Sequence, residues 1–234
     1  EYSIEFAKKL QKKYDMDICV SSDYKNINSI LKKHNLNFLG LRPNQLGRDN
    51  SLTKDVVLYE LNKYQKKFKK KYTYILLLQP TTPIRSLKDI ENAFKLIKNK
   101  NKKYDSIVSV KNVDGNHPLR MKTTINGFLK NYINQKIENM IPRQKLPKVY
   151  IRSGSFYLIK KNKFLKYKSL VGEKTGYVIL KNIYSLNIDS IEDLIIFKNF
   201  YKWKSLLYFV APLIYLAIKF SIKLKKIIIT FFIK

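Results

Sequence analysis

The sequence predicts an α/β fold in which helices cover a mostly parallel sheet. Stretches of helical periodicity alternate with short apolar stretches over the first 111 residues, which is the order of repeated strand–helix units. The run "YTYILLLQ" at 72–79 is too continuously apolar for a strand with one solvent-exposed face. It is typical of a strand that is covered on both faces. Ser86 and Ser190 are each followed three residues later by aspartate, which indicates two helix starts.

Each element follows from its local pattern. The predicted helices are 1–14, 27–35, 53–68, 86–99 and the second part of 184–203. The predicted strands are 17–23, 36–43, 72–79, 104–110, 154–161 and the first part of 184–203. The segment from about 112 to 152 instead holds Gly, Pro and short alternating stretches, so it is predicted to be an insertion or a small second layer.

The composition limits the class of protein. Forty-seven basic and 17 acidic residues give a formal net charge of +30, which favours anionic ligands: a small anionic substrate, nucleic acid or a membrane surface. The lysines are spread along the chain without a nucleic-acid-binding motif, so no specific nucleic-acid partner is expected. One cysteine excludes a disulfide within the chain, and two histidines exclude a Cys/His zinc cluster.

Residues 204–234 form an apolar, lysine-containing tail after a domain that spans 1–203. Its apolar run at 206–218 has 13 residues, fewer than the roughly 20 needed to span a bilayer. Two interpretations stay open. The tail lies on a membrane surface with its lysines at the headgroups, or it packs on its own domain or on a partner. We therefore expect a cytoplasmic protein, with peripheral contact to the inner face of the membrane under the first interpretation.

Polar residues end several predicted strands, and in an open α/β sheet ligands bind beyond the carboxyl ends of the strands. These residues are Ser21, Ser22, Asp23, Arg42, Gln79, Thr81, Thr82, Asn187 and Asp189. Arginines stand out because lysine is the usual cation of this chain, and a planar guanidinium suits carboxylate or phosphate. Asp189 is placed to hold Mg²⁺ beside phosphates or simply to cap the next helix. Arg85 is expected to tie its loop to the helix that starts at Ser86.

An ordered set of motifs resembles the family of CMP-N-acetylneuraminate synthetases (acylneuraminate cytidylyltransferases), with their legionaminate and pseudaminate relatives. The motifs are "VSSD" at 20–23, "LRPNQLGRDNSLTKDVV" at 41–57, "LLQPTTPIR" at 77–85, "SIVSV…HPLR" within 106–120, "PRQKLPKVYIRSGSFYLI" at 142–159 and "NIDSIEDL" at 187–194. They cover residues 1 to about 203. None of the motifs is specific alone, whereas the ordered set is.

The resemblance implies a Rossmann-like nucleotide-diphospho-sugar transferase sandwich. It implies a reaction in which CTP and a nonulosonic acid, a nine-carbon 2-keto acid sugar, give the CMP-sugar and pyrophosphate with Mg²⁺, for the synthesis of surface glycans. The family is usually homodimeric. The segment 112–152 would then reach the partner subunit.

The same resemblance assigns roles to individual residues. Arg42 matches an arginine at the cytosine end of the site, with Asp49, Ser51 and Thr53 in the adjoining nucleotide loop. On the sugar side, the matching residues are Gln79, Thr81, Arg120, Arg143 and Tyr157. Arg143 is directed at the acidic sugar in the family, and Asp189 matches a metal-binding aspartate. Arg143 and Asp189 are therefore the predicted catalytic residues.

The chain departs from the family pattern in three places. The family opens with a strand and a Gly/Ser/Lys/Arg-rich loop around the triphosphate, and this chain begins after both, at "YSIEFAKKL". We therefore expect a longer native protein, and little or no activity from these 234 residues alone. Asn187 replaces the first acid of an Asp-x-Asp pair, which makes it a weaker metal ligand. Ser153 stands where asparagine is common, so the exact sugar stays open.

Two other classes of function remain. One is a cytidylyltransferase for 3-deoxy-manno-octulosonate, against which "PRQKLP" at 142–147 argues. The other is a non-catalytic, membrane-associated relative, which the missing loop, Asn187 and the apolar tail would suit.

Overall fold

A four-stranded mixed sheet with helices on both faces forms the centre of the fold. The computed structural model describes residues 2–113, 115–133, 140–181 and 184–199. The helices are α1 (Tyr2–Gln11), α2 (Ile27–Lys33), α3 (Thr53–Phe68), α4 (Leu87–Ile97), α5 (Lys161–Tyr167) and α6 (191–199). The strands are β1 (Tyr74–Leu77), β2 (Ser106–Asn112), β3 (Lys122–Ile125), β4 (Phe128–Asn131), β5 (Tyr150–Lys160) and β6 (Thr175–Ile179). The α/β class is thus confirmed.

The strand order of the sheet is β1-β5-β2-β6. Strand β5 runs antiparallel to both β1 and β2, while β6 is parallel to β2. Strands β1, β2 and β6 therefore point in one direction and β5 in the other. The prediction of a mostly parallel sheet is right for strand direction, although two of the three pairings are antiparallel.

Apolar side chains from alternate positions of the strands pack on opposite faces of the sheet. Leu76, Ile107 and Leu158 lie in the larger core, with buried residues of α1, α2 and α4. Ile75 and Ile159 lie in the smaller core, with side chains from α3 and α5. The continuous apolar run of β1 is thereby explained, because its residues are buried on both faces.

Three predicted strands are not formed. Residues 17–23 contain a single bridge residue, Cys19, and neither 36–43 nor 184–189 is a strand. In the second of these, Asn35 and Gly40 have φ of 53° and 98°, which interrupts extended backbone before and within the segment. No strand was predicted at β6, which is held in the sheet by its parallel pairing with β2.

The two predicted capping pairs have different outcomes. At the start of α6, Asp193 N donates to Ser190 Oγ at 3.2 Å and Ser190 N donates to Asp193 Oδ2 at 3.1 Å, so this capping box is confirmed. At the start of α4, Ser86 makes no capping hydrogen bond through its side chain, so the predicted cap there is wrong.

The described residues of the segment 112–152 form only short elements and turns. It contains the β3–β4 hairpin, whose turn residues Asn126 and Gly127 both have positive φ, as a type I′ turn requires. Residues 114 and 134–139 of this segment, and the tail 204–234, lie outside the described residues. Among the helices that the structure describes, none is long and apolar enough to cross a membrane.

Candidate functional site

A cavity of about 460 Å³ lies between the extended segment 19–22 and the carboxyl end of β1. Ile4 of α1, Val56 of α3 and Leu77 of β1 give it apolar walls. Its polar lining includes Ser21, Arg42, Ser51, Thr53 and Gln79. The cavity therefore occupies the edge of the sheet at which α/β proteins bind their ligands.

Arg42 is held in the cavity wall by its backbone and by an ion pair. Its amide N donates to Ser22 O at 2.8 Å, and Nη2 donates to Asp23 Oδ1 at 3.0 Å. A methyl group on Gly47 would lie 2.5 Å from Asp23 Oδ2, so glycine at this position leaves room for the carboxylate. The φ of Gly47 is −97°, so the requirement for glycine there is one of space and not of backbone conformation.

Two polar atoms of the cavity lining are buried without a hydrogen-bond partner among the described residues. They are Arg42 Nε and Ser21 Oγ. A buried donor that lacks a partner costs free energy, and one that lines a cavity can recover it from a ligand. The pair therefore suits a planar polar group with hydrogen-bond acceptors.

The loop that follows Arg42 supplies the other predicted nucleotide residues. Ser51 and Thr53 line the cavity, and Ser51 Oγ donates to Gln45 O at 2.9 Å, which braces the loop. Asp49 belongs to the same loop, but it is exposed and does not line the cavity. Three of the four residues predicted for the nucleotide side are thus brought together.

Cys19 also lines the cavity, where its thiol is 5% exposed and 3.9 Å from Glu60 Oε2. Burial, assisted by the charge of Glu60, raises the pKa of this thiol well above its ordinary value. The neutral thiol is a poor nucleophile. The Cys19 thiol is therefore unsuited to act as a nucleophile in this cavity.

Gln79 lies where β1 ends, on the border between the cavity and the middle of the sheet edge. Its carbonyl accepts a hydrogen bond from Thr82 N at 3.2 Å, which closes the turn that contains Thr81. The carbonyl of Thr81 in turn accepts from Ile188 N at 3.3 Å. The exit of β1 is thereby joined to the segment that carries Asn187 and Asp189.

Gly154 of β5 allows the side chains of Gln79 and Asn187 to approach the sheet edge. Its φ is 74°, and a methyl group there would lie 2.5 Å from Gln79 Oε1 and 3.3 Å from Asn187 Oδ1. Glycine is therefore required both by the backbone conformation and by the close approach of two amides. No pattern in the sequence marked this residue as part of the site.

A buried serine pair maintains the irregular backbone beside Gly154. Ser109 Oγ of β2 donates to Phe156 O at 3.0 Å, and accepts from Phe156 N at 2.9 Å and from Ser153 Oγ at 2.8 Å. The pairing of β2 with β5 shifts in register between Val108 and Val110, next to these bonds. Ser153 is 2% exposed and points into this network, so its contact with a sugar is excluded in this arrangement.

Asn187 and Asp189 offer oxygen atoms suited to a divalent cation. Asn187 Nδ2 donates to Asp189 Oδ2 at 2.9 Å, while Asn187 Oδ1 is buried without a hydrogen-bond partner among the described residues. Carboxylate and amide oxygens of this kind fit Mg²⁺, which takes few protein ligands when phosphates supply the others. In the part of the chain that the structure describes, no group of three or more His, Cys, Asp or Glu residues could hold a metal by itself.

The remaining predicted sugar-side residues lie apart from the cavity. Arg120 and Arg143 are exposed on the segment 112–152, where Arg120 Nη2 donates to Ile141 O at 3.0 Å. Tyr157 lies within β5, opposite Leu77 of β1, and burial raises the pKa of its hydroxyl although Arg152 acts in the opposite direction. None of these three side chains is part of the cavity lining.

The fold is that of an α/β protein with a cavity, partly lined by polar side chains, at the carboxyl edge of its sheet. Post-translational flagellin modification protein B of Campylobacter coli is similar to the chain, at 27% identity over 206 residues that cover 88% of this chain and 84% of that protein. N-acylneuraminate cytidylyltransferase of Escherichia coli O18:K1:H7 (strain RS218 / NMEC) is 27% identical over 192 residues, which cover 80% of this chain and 42% of that protein.

No protein-family model matches the chain. The two relatives support the family that the motifs indicate, so the resemblance to the CMP-N-acetylneuraminate synthetases is confirmed.

Proposed function

We propose that the protein is a cytidylyltransferase that activates a nonulosonic acid with CTP. The anomeric hydroxyl oxygen of the sugar would form a bond to the α-phosphorus while the bond from that phosphorus to the bridging oxygen of the β-phosphate breaks. The hydroxyl proton is released, and pyrophosphate leaves. Chemistry of this kind needs positioning and charge stabilisation more than covalent participation by the protein.

The observation that carries this proposal is the buried, unpartnered Nε of Arg42 in the cavity wall. A guanidinium already fixed by Asp23 and still able to donate suits the carbonyl and ring nitrogen of a pyrimidine base. Ser51 and Thr53 lie on the same wall, where their hydroxyls would contact the rest of the nucleotide. We assign this wall to CTP and place Asp49 beside it in the loop.

The sugar would lie on the opposite side of Gln79, against the edge formed by Gln79, Thr81 and Gly154. Tyr157 would complete this pocket from β5. Arg120 and Arg143 do not line the cavity, so we propose that they reach a sugar site through the segment 112–152, with Arg143 pairing with the sugar carboxylate. Ser153 does not determine which nonulosonic acid binds, because the Ser153 hydroxyl donates a hydrogen bond to Ser109 Oγ inside the fold.

Asp189 and Asn187 would hold Mg²⁺, which would neutralise charge on the phosphates when bound. Asp189 supplies the stronger ligand, and the orphaned Asn187 Oδ1 supplies a neutral one. The amide of Asn187 also orients the Asp189 carboxylate through their hydrogen bond.

The proposal is tested by pyrophosphate release from CTP and Mg²⁺ with a panel of nonulosonic acids and with 3-deoxy-manno-octulosonate. Residues 1–234 and a version extended at the N-terminus are assayed together, because we propose that these 234 residues alone turn over slowly. Release with a nonulosonic acid by either version supports the function. Release only with 3-deoxy-manno-octulosonate would assign the octulosonate enzyme, and no CTP binding at all would favour a non-catalytic protein.

Replacing Arg42 by lysine is expected to weaken CTP binding by about 10- to 100-fold, because a hydrogen bond to a charged group contributes about 1.5–3 kcal/mol. Lysine keeps the positive charge but loses the planar fork. Titration calorimetry with CTP measures the change. Lys13→Ala, which removes an ion pair with Glu91 on the surface, is the matched control and should bind CTP as the wild type does. Equal affinity of the Arg42 variant would remove this residue from the nucleotide site.

We further propose that the protein is a homodimer built on the segment 112–152. The hairpin β3–β4 exposes Ile125 and Phe128, which are 54% and 68% accessible and, as directly opposite cross-strand partners, lie on one face. Neighbouring large apolar side chains exposed on one face are typical of an interface. A second copy would cover them and would bring its own Arg120 and Arg143 toward the sugar site.

The double variant Ile125→Asp/Phe128→Asp is expected to convert a dimer to a monomer, because each carboxylate would be buried without a partner in the interface. Light scattering during size-exclusion chromatography gives the mass. Asn101→Asp, which adds a carboxylate in the exposed turn between α4 and β2, should leave the dimer intact. A wild type that is monomeric throughout the accessible concentration range would refute this interface.

A further inference from the structure

Arg85 is a buried cation that joins three elements of the fold. Its side chain is 8% exposed. Nε donates to Ser155 O of β5 at 2.9 Å, Nη2 donates to Gln79 O at the end of β1 at 2.8 Å, and Nη1 donates to Ser3 Oγ of α1 at 2.5 Å. The expectation that Arg85 ties its loop to the helix after Ser86 is therefore replaced by a connection to β5 and α1.

No carboxylate of the described residues pairs with this guanidinium, whose acceptors are two carbonyls and one hydroxyl. Burial lowers the pKa of Arg85 well below its ordinary value, although arginine still keeps its proton in proteins. The Phe6 ring, whose centroid is 5.9 Å from the guanidinium carbon, gives partial compensation. A buried charge without an oppositely charged partner costs folding free energy. A function of the guanidinium therefore explains the presence of arginine at position 85 better than packing alone does.

The two carbonyls held by Arg85 flank the proposed sugar edge. Gln79 supplies one carbonyl, and its side-chain Oε1 lies over Gly154. Ser155, immediately after Gly154, supplies the other. The rigid spacing of Nε and Nη2 in one guanidinium therefore fixes the separation between the exit of β1 and the irregular backbone of β5.

We propose that Arg85 is a positioning residue that sets the sugar-binding edge by holding Gln79 and Ser155 in a fixed relation. This role rests on the proposed function, in which Gln79 contacts the nonulosonic acid. Arg85 itself does not line the cavity that holds Arg42, so its effect should be specific to the sugar and small for CTP.

The test compares Arg85→Lys and Arg85→Met with the wild type. Lysine keeps the positive charge but lacks the planar set of N–H donors that forms the fork of the guanidinium, and methionine lacks both. If the fork positions the edge, both variants should weaken binding of the best-bound sugar among N-acetylneuraminate, legionaminate and pseudaminate by about tenfold or more, since small displacements of positioning groups have effects of this size. Affinity for CTP should stay within about twofold in the same variants.

Hydrogen–deuterium exchange provides a readout that does not depend on the sugar. Peptides that cover 76–82 and 153–156 should exchange about tenfold faster in both variants, while α3 and α5 keep the wild-type rate. Phe164→Leu, in the smaller core with Val57 of α3, Ile75 of β1 and Ile159 of β5, is the control for general loss of stability. Its faster exchange should extend to α3 and α5 and should not be confined to 76–82 and 153–156. Should both Arg85 variants fail to fold, Ser3→Ala removes one acceptor of the fork and should produce the same local pattern more weakly.

The outcomes separate this inference from the proposed function. Full sugar affinity in Arg85→Lys, or an exchange increase spread evenly over the chain, would overturn the positioning role. A wild type that binds no nonulosonic acid, combined with faster exchange confined to the two segments, would reject the proposed function and support Arg85 as the residue that fixes this edge.

Discussion

Gly154→Ala is expected to weaken binding of the nonulosonic acid by about 100-fold and to lower the free energy of unfolding by about 2 kcal/mol. The stability loss arises because φ of 74° is unfavourable for a residue with a Cβ. The binding loss arises because the new methyl group, 2.5 Å from Gln79 Oε1, would force the amide off the sheet edge. Calorimetric titration with the sugar and denaturant unfolding measure the two effects.

Gly40→Ala is the matched control for this substitution. Gly40 also has a positive φ, of 98°, but a methyl group there would meet no atom of the described residues within 4 Å. This control should therefore show the conformational cost without a change in sugar affinity. If Gly154→Ala and Gly40→Ala bound the sugar equally well, the proposed edge at Gln79 would be wrong. A loss of CTP affinity equal to the loss for sugar would instead indicate general damage to the site.

Features that depend on neighbouring residues in the sequence could be predicted closely. Helix α3 spans Thr53–Phe68, the same residues as its predicted pattern, because helical hydrogen bonds and the apolar face are both local. The capping box at Ser190 and Asp193 was predictable for the same reason. The prediction of a strand at 36–43 was wrong because a strand forms only when it pairs with another strand. The apolar residues of this segment are packed without such a pairing.

In the candidate site too, features set by nearby residues could be predicted and features set by distant residues could not. Arg42, Ser51, Thr53 and Gln79 could be expected at one edge because each follows an apolar stretch or lies in the adjoining loop, and they do line one cavity. The roles of Gly154 and Arg85 depend on contacts with residues about 70 positions away in sequence, such as Arg85 with Ser155. Sequence patterns of helix and strand carry no information on such pairs, which only the assembled fold defines.

Asp105→Asn is expected to lower the Tm by about 5 °C or more at pH 7, because it removes the charge of a buried carboxylate that pairs with the partly exposed Lys163. Asp105 is 3% exposed at the start of β2, where Oδ1 lies 2.9 Å from Lys163 Nζ and Oδ2 accepts from Lys174 N at 3.2 Å. These contacts join β2 to α5 and to the loop before β6. Asparagine has the same shape, so the loss would reflect charge and hydrogen bonding and not a cavity.

The pH dependence of this loss tests its electrostatic origin. Burial opposes ionisation of Asp105, but the hydrogen bond and charge of Lys163 and the Lys174 amide outweigh it and hold the pKa of the carboxyl below its ordinary value. A lowered pKa in the folded state stabilises the protein above the ordinary aspartate pKa of about 3.9. This stabilisation is lost as the pH falls through the folded-state pKa. The difference in Tm between wild type and variant should thus be constant from about pH 7 to 5 and shrink below about pH 4.

Glu91→Gln provides the control, because Glu91 pairs with Lys13 on the surface, where both side chains contact water. Exposed ion pairs contribute little, so this variant should unfold at the wild-type temperature across the same pH range. A Tm loss in Asp105→Asn that persisted unchanged at pH 3 would show that shape or local packing, and not the carboxylate charge, makes Asp105 important. Asp105 lies at the amino end of β2, whereas Gln79 lies at the carboxyl end of β1, which runs in the same direction. Its loss should therefore leave sugar and CTP affinities intact at temperatures where the variant is folded.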